Sequence, residues 1–168
     1  GILAGESFGM IQWAAVNSTY VSVLAALVSV AVVVPLSFLI ARRPNIVSGF
    51  FERAAYVGYA LPGIAIALAL VFFASRYAGF VYQTLAVLIF AYVVLFLPQA
   101  LGAVKTSILQ VSPRIEEAAR SLGKNSLTVT MRVSLPQILP GVSAGAALVF
   151  LTTMKELPAT LILSPLGF

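Results

Sequence analysis

The sequence predicts an all-α fold, a polytopic bundle of membrane-spanning helices. Of its 168 residues, 61% are hydrophobic and only 9% are charged, and the mean hydropathy is +1.05, whereas about a quarter of the residues in soluble domains are charged. The charges also leave long gaps, since none lies between Glu6 and Arg42 or in the intervals 54–75, 77–104 and 133–154. Each gap can cross about 30 Å of hydrocarbon at roughly 1.5 Å per helical residue.

Four membrane spans are predicted from these gaps. They lie near residues 18–40, 54–74, 80–104 and 137–157. We expect helices because a backbone exposed to lipid must satisfy its own hydrogen bonds, and the runs lack the sustained alternation of a barrel strand. The first run is too long for a cleaved signal peptide, has no basic region before it, and is followed by three comparable segments.

The basic residues predict the orientation of the spans. Lys and Arg in short loops are retained on the cytoplasmic side of a membrane. With both ends of the four spans outside, only Arg76 and Lys155 face outward. The eight residues placed inside are Arg42, Arg43, Arg53, Lys105, Arg114, Arg120, Lys124 and Arg132. The formal charge of +5 is therefore interpreted as a topology signal with some attraction to anionic headgroups, and no nucleic-acid partner is predicted.

The composition also argues against catalysis and against metal sites built from Cys or His. The chain has no Cys and no His, so it lacks disulfides, thiolate ligands, and the commonest general base and metal ligand. It has no GxxxxGK[ST] loop for ATP. Its carboxylates are widely spaced apart from one adjacent pair, which disfavours paired-carboxylate chemistry. They are Glu6, Glu52, Glu116, Glu117 and Glu156.

The segment between the third and fourth predicted spans, residues 105–136, contains a short helix with clear end signals. In "SPRIEEAARSLG", Ser112 is a candidate N-cap, Pro113 takes the first helical position and Gly123 ends the helix. Glu116 lies near the positive helix N-terminus and can pair with Arg120 at i,i+4. One face is apolar and consists of Ile115, Ala118, Ala119 and Leu122. Such a helix lies at the headgroup boundary or docks on a partner protein.

The next stretch gives conflicting signals. Residues 127–135 alternate apolar and polar side chains, which by periodicity favours a strand. A single strand would leave its backbone groups unpaired, so we predict a helix here. We expect Pro136 and Pro140 to break this helix and redirect the chain into the fourth span.

The stretch "EAARSLGKNSLTVTMRVSLP" resembles the EAA signature of permease subunits of binding-protein-dependent ABC importers. The signature is Glu-Ala-Ala, three residues, Gly, nine residues, an aliphatic residue, one residue and Leu-Pro. The matching positions are Glu117, Ala118, Ala119, Gly123, Val133, Leu135 and Pro136, with Val133 in place of the more usual Ile. The resemblance extends from about Asn17 to Phe168. The stretches "YALPGIAIAL" (59–68) and "KELPATLIL" (155–163) look most like the ferric-iron branch, with thiamine and polyamine permeases nearby.

This resemblance implies a permease component that forms the translocation path for a solute delivered by an extracytoplasmic binding protein. The expected solute is ferric iron, with thiamine, a polyamine or an oxyanion as alternatives. The implied partners are cytoplasmic ABC ATPase subunits, a second permease half or copy, and the lipid of a bacterial inner membrane. ATP and Mg would be used by the ATPase, and no cofactor is expected on this chain. The resemblance also implies that the chain is a fragment or one half of a longer permease.

In this family the EAA loop is a cytoplasmic coupling helix that sits in a groove of the ATPase. By resemblance, this role falls to Glu117, Ala118, Ala119, Gly123, Leu135 and Pro136. The small Ala118 and Ala119 allow close approach, and Gly123 permits a left-handed turn.

Two further places have both a structural and a functional interpretation. Pro35, Pro62 and Pro98 lie in or at the start of spans, where kinks are expected, but Pro62 and Gly63 are also candidates for a flexing point along the translocation path. Lys155 and Glu156 end a long uncharged run. They are either the interfacial end of a helix, or part of an outer gate or of the contact with a substrate-loaded binding protein.

Two other function classes remain open at this point. A secondary transporter would place ionisable groups or broken helices at the middle of the membrane, and the spans before Lys155 carry no charge. A noncatalytic membrane scaffold would show no dependence on ATP.

Overall fold

The computed structural model describes residues 2–165, with side chains for residues 11–165, and it is 85% helical. Within this range there is no strand, so the all-α prediction is confirmed. The helices are α1 (Ile2–Arg42), α2 (Ile46–Ala60), α3 (Gly63–Tyr77), α4 (Leu85–Gln110), α5 (Pro113–Ser121), α6 (Ser126–Val129), α7 (Leu135–Met154) and α8 (Pro158–Leu163). A π-helical turn, Thr130–Ser134, joins α6 to α7.

Among the described residues, three helical segments are long and apolar enough to cross a membrane, which confirms the polytopic prediction. They are Ile11–Arg42, Leu85–Gln110 and Ser126–Met154. The predicted span 54–74 is not one straight helix, because α2 and α3 meet at an angle of 106° around Leu61 and Pro62. Proline disfavours the helical region for the residue before it, and Leu61 is extended, with φ −110° and ψ 134°.

The expectation that Pro136 and Pro140 break the helix is wrong, because one helical segment runs from Ser126 to Met154. A π turn precedes Pro136. In it, the N–H of Leu135 donates to the carbonyl of Thr130, five residues earlier in the chain. The preference for a helix over a strand in residues 127–135 is confirmed.

Helix α4 occupies the centre of the bundle, between α1 and α7. Leu101, Val104 and Ile108 of α4 are fully buried in a core that includes Val33 of α1 and Val149 of α7. A second core lies around the first half of α4, where α1, α3 and α8 pack. Its members include Val21, Ile66, Leu88, Ala91 and Leu163.

The bundle therefore has two ends that differ in chemistry. The basic end comprises the last turn of α1 at Arg42, the second half of α4 with Lys105, and α5. The Glu156 end comprises the α2–α3 break at Pro62, the first half of α4 with Tyr92, and the α7–α8 junction at Glu156.

Candidate functional site

At the basic end, a buried carboxylate fastens α5 to the bundle. The Glu116 side chain is 7% exposed. Its Oε1 accepts hydrogen bonds from Arg42 Nε at 3.1 Å, Arg42 Nη2 at 2.9 Å and Ser134 Oγ at 3.0 Å. Arg42 Nη2 also donates to the carbonyl of Val111 at 2.8 Å, and Arg120 Nη2 lies 3.6 Å from Glu116 Oε2. The predicted i,i+4 pairing of Glu116 with Arg120 is thus present.

Because Glu116 points inward, the opposite face of α5 is free of the bundle. Glu117 and Ala118 are exposed, and Ala119 is half-buried. The apolar face is also largely outside, with Ile115 45% and Leu122 81% exposed. Consecutive residues on a helix are about 100° apart around its axis, so burying one glutamate of the pair presents the other to the surroundings.

The ends of α5 follow the sequence signals. Gly123 has φ +78° and its N–H bonds to the carbonyl of Arg120 at 2.9 Å, so the glycine supplies the predicted left-handed turn. Pro113 occupies the start of the helix, and Ser112 takes the N-cap position without a side-chain capping bond.

The last two residues of the signature, Leu135 and Pro136, lie at the start of α7, after Val133 in the π turn. Leu135 is half-buried against the core that α4 forms with α1 and α7, and Pro136 is exposed. They follow Ser134, whose hydroxyl reaches Glu116. The structure therefore connects the two halves of the signature through Glu116 and Ser134, neither of which sequence reasoning selected as a functional residue. The adjacent glutamates were the available signal.

A second ion pair lies at the same end, between the ammonium of Lys105 on α4 and the carboxylate of Glu52 on α2. Both side chains are roughly one quarter exposed, at 27% and 28%. This pair attaches the start of the bent α2–α3 unit to the helix that leads into α5.

At the Glu156 end, two of the candidate gate residues, Gly63 and Glu156, are in contact. A Cβ added at Gly63 would lie 2.6 Å from Glu156 Oε1, so only glycine fits here with this carboxylate position. Glu156 Oε1 also accepts from the N–H of Ala159 at 3.3 Å. The carboxylate thus lies at the N-termini of α3 and α8, where unpaired N–H groups favour negative charge. Pro62 is the N-cap residue of α3.

A small polar cavity of about 50 Å³ adjoins this contact. Tyr92 OH and Thr160 Oγ1 are hydrogen-bonded at 2.6 Å. The buried Thr153 Oγ1 has no hydrogen-bond partner among the described residues. The cavity is lined by Ser18, Val21, Ser22, Tyr92, Thr153, Met154, Glu156, Leu157 and Thr160. Lys155 is exposed at the end of α7 and does not line the cavity.

An open apolar cavity of about 660 Å³ runs between α1, α2 and α4. Its lining includes Val32, Val57, Leu61, Phe90 and Val94. The sequence does not predict this cavity, because only the fold brings together the helices whose residues line it.

Most of the chain, including α5 and α7, matches a known protein family. Residues 33–167 match the family described as "Binding-protein-dependent transport system inner membrane component". The chain belongs to this family. Together with the apolar helices, this membership makes it a multi-pass protein of the inner membrane.

Several curated relatives are transport permeases. The chain is 43% identical over 148 residues to the "Fe(3+)-transport system permease protein FbpB 2" of Haemophilus influenzae, covering 88% of this chain and 29% of that protein. It is 26% identical to the "Molybdate/tungstate transport system permease protein WtpB" of Pyrococcus abyssi, covering 88% and 58%. The "Spermidine/putrescine transport system permease protein PotC homolog" of Mycoplasma genitalium is 26% identical, covering 84% and 50%. The chain therefore spans less than two thirds of the length of each.

Proposed function

We propose that this chain is a membrane permease component of an ATP-binding-cassette importer, and that α5 is the helix through which a cytoplasmic ATPase acts on it. The observation that carries the proposal is the two-sided character of α5. Its buried side is fastened by Glu116, and its outer side exposes Glu117, Ala118 and an apolar surface.

This outer side has the composition of a protein docking surface. Leu122 and Ile115 supply apolar area, Ala118 allows close approach, and Glu117 offers a carboxylate to donors on the partner. The alternative is contact with lipid headgroups. The protein partner is proposed because Glu117, Ala118 and Gly123 match the EAA signature. Charge does not carry this choice, since the exposed Arg114, Arg120 and Lys124 outnumber Glu117.

The proposal requires the basic end to be cytoplasmic. Single cysteines introduced at the exposed positions Ser121 and Gly79 should react with a membrane-impermeant maleimide from opposite sides of oriented vesicles. Ser121→Cys should react from the cytoplasmic side. Reaction of both from one side would overturn the topology.

Docking is tested with the full-length permease purified together with its ATPase. Glu117→Lys reverses a charge on the docking side, and Gly123→Val forces a β-branched residue into a left-handed turn. Both should reduce ATPase co-purification and solute uptake while the permease remains inserted. Gly79→Val is the matched control, because Gly79 is exposed with open space around it and lies far along the chain from α5. Wild-type co-purification by both docking variants would contradict the coupling role.

Ferric iron is the proposed solute, on the strength of the 43% identity to an Fe(3+) permease. Molybdate, tungstate and polyamines follow from the more distant relatives, and thiamine remains from the sequence resemblance. Proteoliposomes with the full-length permease, its ATPase and its binding protein should take up radioactive ferric iron when ATP and Mg are supplied. Competition by excess molybdate, spermidine or thiamine instead of iron would reassign the solute. ATP hydrolysis would occur in the ATPase subunits and not in this chain.

The Glu156 end is the proposed outer gate. The contact between Gly63 and Glu156 supports this role, because it joins the bend of α2–α3 to the junction of α7 and α8. Opening this contact would separate Pro62 and Gly63 from Glu156. Glu156→Gln should reduce uptake with normal ATPase docking, and Lys155→Met tests the exposed neighbour. Unchanged uptake in both variants would leave these charges as the end of a helix only.

A further inference from the structure

Glu116 joins α5 to the last turn of α1, to the π turn before α7 and, through Arg42, to the end of α4. Its carboxylate accepts hydrogen bonds from Arg42 in the last turn of α1 and from Ser134 in the π turn before α7. It also forms an ion pair with Arg120 of α5 itself. Through Arg42 it also reaches the carbonyl of Val111, at the end of α4. Arg42 and Ser134 lie 74 and 18 positions from Glu116 in the sequence.

Separating the charged groups of this cluster is energetically unfavourable. Three hydrogen bonds converge on one oxygen of a side chain that is 7% exposed, and two of them come from a guanidinium that is itself 18% exposed. Separating a buried ion pair leaves an uncompensated charge in a low-dielectric environment, which is strongly unfavourable. A displacement of α5 therefore moves Arg42 and Ser134 with it at lower cost than it breaks the cluster.

Ser134 is the contact through which such a displacement would act on a transmembrane helix. It closes the π turn, where hydrogen bonds run from residue i to i+5, as between Thr130 and Leu135. Such turns are often found at functional positions, because their hydrogen-bond register differs from that of the surrounding helix. A pull on Ser134 thus acts at a point where the helix leading into α7 already departs from α geometry.

We infer that Glu116 is a positioning residue that conveys the movement of α5 to α1 and α7, while its exposed neighbour Glu117 contacts the ATPase. The inference rests on the proposed coupling function. It divides the adjacent glutamates into one that transmits movement and one that docks.

The test compares Glu116→Gln with Glu117→Gln in the full-length permease assembled with its ATPase and iron-loaded binding protein. Glu116→Gln should still co-purify the ATPase, but ferric iron transported per ATP hydrolysed should fall about tenfold, inside the range typical of coupling between two sites. Glu117→Gln should instead lower ATPase co-purification and leave the ratio of iron to ATP unchanged in the complexes that form.

A spectroscopic measurement makes the test independent of the solute. Spin labels at Ser121 on α5 and Leu148 on α7, both exposed, report the distance between these helices when a non-hydrolysable ATP analogue is added. In the wild type the two labels should move together, with little change in their separation. In Glu116→Gln the separation should change, because α5 moves without α7.

If the Glu116→Gln variant fails to insert into the membrane, Ser134→Ala provides a second test of the inference. It removes the hydroxyl that links Glu116 to the π turn and leaves both arginine contacts in place. It should lower the iron-to-ATP ratio, whereas Ser143→Ala should not, because the Ser143 hydroxyl donates to the carbonyl of Pro140 within its own helix.

Two results would overturn the inference while the coupling function stands. One is a wild-type iron-to-ATP ratio in Glu116→Gln and Ser134→Ala with normal ATPase binding. The other is loss of ATPase binding in Glu116→Gln equal to that in Glu117→Gln. A wild-type permease that binds no ATPase would overturn the proposed function itself, and the inference with it.

Discussion

The two ends of the bundle each bring a glutamate to a junction of helices, but they hold it in different ways. At the basic end, Glu116 is met by the guanidinium of Arg42, the hydroxyl of Ser134 and the nearby Arg120. At the other end, Glu156 is half-buried and is met by a main-chain N–H of α8 and by the N-terminus of α3. No cation pairs with it among the described residues.

The two glutamate contacts therefore differ in the free energy needed to separate them. A buried ion pair costs several kcal/mol to break, typically about 3–5. A carboxylate at a helix N-terminus contributes about 0.3–1 kcal/mol. The Glu116 contact is therefore suited to transmitting movement, and the Glu156 contact to opening and closing.

The largest expected effect comes from removing the cation at the basic end. Arg42→Met leaves Glu116 buried with only Arg120 near its charge, and should lower the free energy of unfolding in detergent by about 2–3 kcal/mol. Arg43→Met is the matched control, because Arg43 is exposed, and it should change this value by less than about 0.5 kcal/mol. Equal effects at both positions would remove the distinction between the two ends.

A smaller effect is expected when the Glu156 contact is crowded. The Cβ of Gly63→Ala would lie 2.6 Å from Glu156 Oε1, and the flexible carboxylate can move, so the cost should be about 1–2 kcal/mol. In a Glu156→Ala background this cost should vanish. Gly102→Ala serves as control, because its added Cβ meets only Tyr56 OH at 3.9 Å. A cost that persists without Glu156 would mean that Gly63 is required for another reason.

The smallest expected effect concerns the hydroxyl beside Glu156. Thr153 Oγ1 is buried and has no partner within residues 11–165, so Thr153→Val should stabilise the protein by about 1 kcal/mol, since an unpaired buried hydroxyl is unfavourable. Thr152→Val should destabilise it slightly, because Thr152 Oγ1 donates to the carbonyl of Leu148 at 2.7 Å. Destabilisation by Thr153→Val, measured in the same unfolding assay, would show that this hydroxyl is hydrogen-bonded in the folded protein.

Much of the fold could be predicted from the sequence, because hydropathy and charge gaps reflect the bilayer directly. The helical nature of the chain and the ends of α5 at Pro113 and Gly123 follow from local signals. The bend of 106° between α2 and α3 and the continuous path through Pro136 could not be predicted. A proline signals the possibility of a break, but the surrounding hydrogen bonds decide whether the helix bends or widens into a π turn.

The candidate sites were predictable only in part. The signature at 117–136 located α5, but the partners of Glu116 lie at Arg42 and Ser134, and only the fold brings these positions together. The contact between Gly63 and Glu156 likewise joins a residue that precedes α4 in the sequence to one that follows it. The sequence singled out both residues but carries no signal that pairs them.

The most direct test of the account is photo-crosslinking from α5. A photoreactive amino acid at Leu122, which is 81% exposed, is compared with one at Phe80, which is 86% exposed and lies before α4 at the other end of that helix. With the full-length permease in its native membrane, the account predicts that Leu122 captures a protein identified by mass spectrometry as an ATP-binding-cassette subunit, and that Phe80 does not. Capture of that subunit from Phe80, or of lipid alone from Leu122, would contradict the coupling role of α5.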